Sequence, residues 1–191
     1  MTDILTIKNG RKVVNNGMNE EKVLLDEINL TIREGDFITV LGGNGAGKST
    51  LFNTIAGTLQ LSQGSISFKD QLITKDSEEK RARFLSRVFQ DTKMGTAPRM
   101  TVAENLLLAQ KRGQKRKFRL RNLKNQKEDF FRLCKEVGNG LEQHLDTPAG
   151  ELSGGQRQAL SLLMATITAP ELLLLDEHTA ALDPKTAKAL M

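Results

Sequence analysis

A chain of 191 residues, 38% of them hydrophobic, supports one domain, or one domain with a subdomain, around an ordinary buried core. The single cysteine, Cys134, excludes an internal disulfide, and Met1-Thr2-Asp3 opens without the charged-then-apolar pattern of a signal peptide, so the expected compartment is the cytoplasm. Apolar runs such as Leu172-Leu173-Leu174-Leu175 stop far short of the roughly 20 residues that cross a bilayer, which leaves membrane work to a partner, and the formal charge of +5 is concentrated locally.

In chain order, Ile4-Leu5-Thr6-Ile7 and Ile28-Asn29-Leu30-Thr31-Ile32 alternate with the period of strands that have one wet face, and predict an antiparallel piece near the N-terminus. Phe37-Ile38-Thr39-Val40-Leu41 is almost continuously apolar and predicts a strand buried on both faces. It runs into a glycine loop, after which a helix reaches Ala56 and stops at Gly57. Arg87-Val88-Phe89-Gln90 reads as a short strand, followed by a loop with Gly95 and Pro98. Thr101 and Glu104 have capping-box spacing ahead of a helix to about Arg112, and Phe130-Phe131 begins another apolar helical patch. Ser153 and Gln156 form a second capping box, with a helix through Thr168 and a stop at Pro170. The run 172–175 predicts a buried strand ending in Asp176-Glu177.

Three of these segments carry chemistry. Gly42-Gly43-Asn44-Gly45-Ala46-Gly47-Lys48-Ser49, with Thr50 behind it, fits G-x-x-x-x-G-K-[ST], in which backbone N–H groups cradle phosphates. Lys48 reaches the β and γ phosphates, Ser49 offers a hydroxyl to Mg²⁺, and the helix that follows points its positive end at the anion. A buried strand ending in acids suits the second half of such a site, with Asp176 holding Mg²⁺ and Glu177 polarising the attacking water. In Leu152-Ser153-Gly154-Gly155-Gln156-Arg157-Gln158, two glycines behind an N-cap serine expose another helix N-terminus to an anion. One nucleotide does not need two cradles on one chain.

These motifs, in this order, resemble the ABC ATPase family over essentially the whole chain. In the terms of that family, 42–49 is the Walker A loop, Gln90 the Q-loop glutamine, 152–158 the signature, 172–177 Walker B, and Ala181-Leu182-Asp183 the D-loop. The resemblance implies an α/β P-loop NTPase (RecA-like) core with an N-terminal antiparallel β subdomain and an inserted helical subdomain. The expected division is 1–90, 91–158 and 159–191. It further implies ATP and Mg²⁺ as cofactors, with Ser49, Gln90 and Asp176 at the metal and Lys48, Gln90 and Glu177 in hydrolysis. Ser153, Gly154 and Gly155 serve the ATP of a second ATP-binding subunit in a head-to-tail homodimer. Membrane permease subunits complete the expected partners, nucleic acid is not expected, and the protein is placed peripherally on the inner face of the cell membrane. Val88-Phe89-Gln90-Asp91, Gly95-Thr96-Ala97-Pro98 and Asp176 to Pro184 look most like a bacterial importer subgroup. An ABC ATPase acting on ribosomes or DNA, and a non-hydrolysing subunit, are the alternatives.

The chain departs from the family pattern in several places. It has no Trp or Tyr, and its first Phe is Phe37, so the aromatic that usually stacks on adenine is absent or replaced; Val13 or Val14 packing on the base and plain strand residues are the two readings. His178 stands where most members have proline and is read as shaping a turn, while His144 is expected at the surface. The family's switch histidine lies on a strand beyond Met191; the last core strands are therefore expected to be missing, with a gap in the sheet and impaired hydrolysis. Lys111, Arg112, Lys115, Arg116, Lys117, Arg119, Arg121, Lys124 and Lys127 form a basic stretch with no acid and one aromatic, Phe118. A solvated face, a membrane or partner contact, and nucleic acid remain open for it, although one aromatic is too few for a base-stacking platform.

Overall fold

The computed structural model describes residues 2–15, 21–91, 93–114 and 123–176. The chain divides into two compact units, Met1–Ala82 and Arg83–Met191.

In the first unit, β1 (Asp3–Asn15) and β2 (Glu21–Arg33) pair antiparallel from Asp3 opposite Arg33 to Asn15 opposite Glu21, as the alternation predicts. The other edge of β1 takes β3 (Gln63–Phe68), and β3 pairs with the short β4 (Gln71–Leu72), giving the order β2-β1-β3-β4. Leu5, Ile7 and Ile66 are buried, which is the two-residue period at work: one face of each strand is apolar and withdrawn from water. The helix α1 (Lys48–Ala56) ends where expected. Gly57 takes φ 87°, and its N–H reaches the carbonyls of Asn53 and Thr54. The last element of this unit is the single turn α2 (Glu78–Arg81).

The strand expected at 37–41 does not form. That segment has no regular structure, and Phe37, Ile38 and Leu41 are 81%, 44% and 87% exposed. Among the described residues no strand pairs with it, and β-forming side chains gain their preference from cross-strand neighbours rather than from the isolated backbone.

In the second unit, β5 (Leu85–Val88) and β6 (Leu172–Leu175) run parallel, with Leu85 opposite Leu172 and Val88 opposite Leu175. The expected strand 87–90 is thus shifted towards the N-terminus, so that Phe89 and Gln90 follow the strand. Only Leu174 of β6 is buried, contrary to the expectation of burial on both faces, because among the described residues β6 has a neighbour on one edge alone. The helices are α3 (Val102–Gln110), α4 (Lys127–Val137) and α5 (Gly154–Thr166). Their core gathers Val102, Leu106, Phe130, Cys134, Leu141 and Leu160, all at 0% exposure. Both expected capping boxes form. The helices stop short of the predicted ends at Arg112 and Thr168, and Arg112 instead donates to the carbonyls of Met164, Ala165 and Thr168 at 3.4, 3.3 and 2.7 Å. Long-range capping of this kind satisfies the carbonyls that a helix end leaves open. Among the described residues no helix is long and apolar enough to cross a membrane.

Cys134 lies inside this core, and burial, reinforced by the charge of Glu142, pushes its thiol up to about 12. The thiolate is the reactive species, so native Cys134 should react with a disulfide reagent at pH 8 roughly a thousandfold more slowly than the denatured chain. Equal rates before and after denaturation would mean that this helical core is open to solvent.

Candidate functional site

The phosphate loop lies in the first unit. Its last glycine, Gly47, is the N-cap of α1 at φ 86° and offers no side-chain cap, and the first helical turn holds no acid. The amides at this helix start therefore keep their capacity for an external anion, and the dipole's positive end is not neutralised locally. A Cβ on Gly47 would lie 2.9 Å from the carbonyl oxygen of Leu24, so both the backbone angle and the close approach to β2 require glycine there. Residues 42–46 and Ser49 are exposed, and Gly47, Lys48 and Thr50 are half-buried. Lys48 Nζ folds back onto its own loop and donates to the carbonyls of Gly42 at 2.6 Å and Gly43 at 3.0 Å. Its positive charge is thus held at the mouth of the cradle by neutral acceptors, which a phosphate oxygen readily outcompetes.

The far end of α1 is held by Arg81. It is 1% exposed, and it donates to the carbonyls of Thr54, Ile55, Ile73, Thr74 and Asp76 at 2.7–3.2 Å. Nothing in the local sequence pattern announces this contact, which spans 27 residues from Thr54. A separate open hollow of about 390 Å³ runs along Arg11, Val13, Asn15, Glu21, Ser62 and Gln63 and includes none of the loop residues 42–50. Val13 lines it, while Val14 is the neighbouring strand residue opposite Lys22.

The remaining site residues within the described structure lie in the second unit. Asp176 follows β6, its backbone N–H bonded to the carbonyl of Val88 at 3.1 Å, and Gln90 lies exposed two residues beyond β5. Parallel pairing therefore brings the strand ahead of Gln90 and the strand ahead of Asp176 side by side. Asp176 Oδ2 accepts a 2.9 Å bond from Arg87 Nη2, with side-chain exposures of 16% and 9%. Sequence reasoning misses this role of Arg87, although a lone cation within an apolar strand is a signal for it. Downstream of Gln90, the fully buried Asn105 accepts from the N–H of Ala97 and donates to the carbonyls of Ala97, Met100 and Thr101, which fixes the loop against α3. Glu177, His178 and Ala181-Leu182-Asp183 lie outside the described residues, as do 115–122 of the basic stretch.

The signature segment forms the start of α5. Ser153 Oγ accepts from the N–H of Gln156 at 3.3 Å, while Gln156 Oε1 accepts from the N–H of Ser153 at 3.1 Å. Arg157 reaches back to the carbonyls of Ala149, Gly150 and Leu152 at 2.9–3.2 Å, so one guanidinium shapes the approach to the cap. Ser153, Gly154 and Gly155 remain exposed, and the first turn again lacks an acid. His144 is half-buried rather than at the surface, with Nδ1 3.4 Å from Thr147 Oγ1.

Each unit by itself carries groups of a fitting kind for a nucleotide with a magnesium ion: amides, Lys48 and the Ser49 hydroxyl in the first, and the Asp176 carboxylate in the second. The described residues contain no group of three His, Cys, Asp or Glu side chains able to cage a metal. A hydroxyl, one carboxylate, phosphate oxygens and water are the oxygen donors that suit Mg²⁺.

Residues 25–180 match the family model for the ABC transporter. The tyrosine transport ATP-binding protein of Clostridioides difficile is 42% identical over 188 residues, covering 98% of this chain and 74% of that protein. A spermidine/putrescine import ATP-binding protein of Haemophilus ducreyi is 36% identical over 89% of this chain and 43% of its own length. Among solved structures, a dimeric ATP-binding cassette in a post-hydrolysis state with ADP and Pi superposes with a TM-score of 0.80 at 26% identity, covering 98% of this chain and 79% of that one. A nucleotide-free cassette from an ABC transporter gives 0.75 at 27% identity, covering 99% and 74%.

Proposed function

The chain belongs to the ABC transporter family, and on that premise we propose that it binds Mg²⁺ and ATP between two head-to-tail copies and hydrolyses the ATP to power import of a small solute. The observation that carries this reading is that one chain presents two acid-free helix N-termini, at Lys48 behind the exposed loop 42–46 and at the exposed Gly154. The first belongs to a phosphate loop with its own lysine; in the second the motif's cation, Arg157, is engaged with the carbonyls of Ala149, Gly150 and Leu152, and the exposed amides suit the γ phosphate of a neighbouring subunit's nucleotide.

The residue roles follow from the groups each position offers. Backbone amides of 42–50 would hold the phosphates, Lys48 would exchange its two loop carbonyls for phosphate oxygens, and Ser49, Gln90 and Asp176 would supply oxygen donors to the metal. Bound Mg²⁺ neutralises charge on the phosphate oxygens. Glu177 takes the proton of the attacking water, and Ser153, Gly154 and Gly155 of a second copy close the site and exclude bulk water. The division 1–90, 91–158 and 159–191 assigns the nucleotide core, the helical subdomain and the return to the core. Permease subunits on the inner face of the membrane receive the closure. The 42% identity to a tyrosine transport protein supports an amino-acid cargo.

The test uses Glu177→Gln, which should retain binding while slowing hydrolysis. Light scattering should show a dimer with ATP and a monomer without it, and adding Ser153→Arg should abolish the dimer while one ATP still binds per chain. A chain that binds no ATP, or a dimer indifferent to both ATP and Ser153, refutes the proposal.

A further inference from the structure

The ion pair between Arg87 and Asp176 is fixed at both ends. Arg87 sits inside β5 opposite Leu174, and Asp176 is tied to the β5 carbonyl of Val88 through its own backbone N–H at 3.1 Å. The guanidinium carbon also stands 4.7 Å from the centre of the Phe89 ring. The bond to Oδ2 is 2.9 Å long, and the two side chains are 9% and 16% exposed, so this is a largely desolvated pair rather than a surface contact.

We propose that Arg87 is a positioning and charge-setting residue that holds the Asp176 carboxylate at the strand end, compensates its charge, and thereby sets how tightly the site takes a divalent metal. The proposal rests on the reading of Asp176 as a metal-site residue. A carboxylate removed from water is costly unless paired, and Arg87 already provides that pairing. A metal drawn to Asp176 gains less from a carboxylate whose charge is compensated, and it meets the guanidinium's repulsion. Removing the cation leaves an uncompensated, largely buried carboxylate whose best remaining partner is the metal. Arg87 is therefore expected to weaken metal binding while keeping the site stable without metal, so that the metal stays exchangeable with nucleotide. A merely structural Arg87 makes the opposite prediction: its loss disorders Asp176 and weakens the metal.

The probe is Mn²⁺, followed by electron paramagnetic resonance on the full chain with the non-hydrolysable analogue AMP-PNP. Arg87→Met, which keeps an unbranched apolar stem and removes the guanidinium, should lower the Kd for Mn²⁺ by about three- to tenfold, the size expected for deleting one nearby charge. Arg87→Lys should stay within about twofold of the parent, since the charge remains. In an Asp176→Asn background the gain from Arg87→Met should vanish. Arg87→Gln is the second charge-removing variant should the methionine protein fail to fold. Fluorescent-nucleotide binding in EDTA, with no metal present, should be unchanged in Arg87→Met. Unchanged or weaker Mn²⁺ binding on removal of the charge, or a gain that persists in the Asp176→Asn background, overturns the role of Arg87. A parent chain that binds no nucleotide in EDTA or Mg²⁺ overturns the functional reading beneath it.

Discussion

Lys48→Ala should lower affinity for a fluorescent ATP analogue by roughly 10- to 100-fold, because it deletes a charge-assisted bond worth about 1.5–3 kcal/mol to a phosphate oxygen. The stability of the nucleotide-free protein should hardly move. In the absence of nucleotide, Lys48 bonds, among the described residues, to the carbonyls of Gly42 and Gly43, and both glycines are exposed, so water can replace the ammonium at each of them. The signature of a binding residue is that asymmetry: large loss with ligand, small loss without. Adenosine, which has no phosphates, should be blind to the substitution. Equal loss for ATP and adenosine, or no loss for ATP, removes Lys48 from phosphate recognition.

What the sequence made legible is governed by how far each cause lies along the chain. The boxes Thr101 with Glu104 and Ser153 with Gln156 close over three residues, so their residue types alone specify them, and both form. The stop of α1 at Gly57 is equally local, a glycine supplying a left-handed angle. The segment 37–41 fails for the opposite reason. Its side chains favour a strand, but a strand exists only in the company of neighbours, and among the described residues it has none. The motif residues could be named individually, whereas the residues that steady them could not. Arg81 reaches the end of α1 across 27 positions, Arg112 reaches the end of α5 across 53, and Arg87 meets Asp176 across 89. Each is an arginine answering oxygens that only the folded chain assembles, so its type and position do not name its partner.

Arg81→Met should cost roughly 3–5 kcal/mol of folding stability, the range for breaking a buried charged network by removing one partner. Five carbonyl oxygens lose the guanidinium at once, those of Thr54 and Ile55 at the end of α1 and those of Ile73, Thr74 and Asp76 opposite, while Thr54 and Ile73 keep the N–H groups of Gly57 and Asp76. Burial lowers the guanidinium's pKa, with Asp76 pulling the other way, and arginine's high starting value keeps it charged nonetheless. The contacts are with dipoles rather than with a carboxylate, so their strength depends on the planar fork reaching several oxygens together. Arg81→Lys should therefore recover less than half of the loss, since one ammonium cannot span both groups of carbonyls. Urea denaturation of the three proteins provides the measurement, with the slope of each transition checked for constancy. Because α1 begins at Lys48, loosening its far end also frees the helix that aims the phosphate loop, and nucleotide affinity should fall in step with stability. If lysine restores full stability, charge alone suffices and the fork geometry is not what anchors α1; if methionine costs under about 1 kcal/mol, the carbonyls have found water, and the site's anchor lies elsewhere.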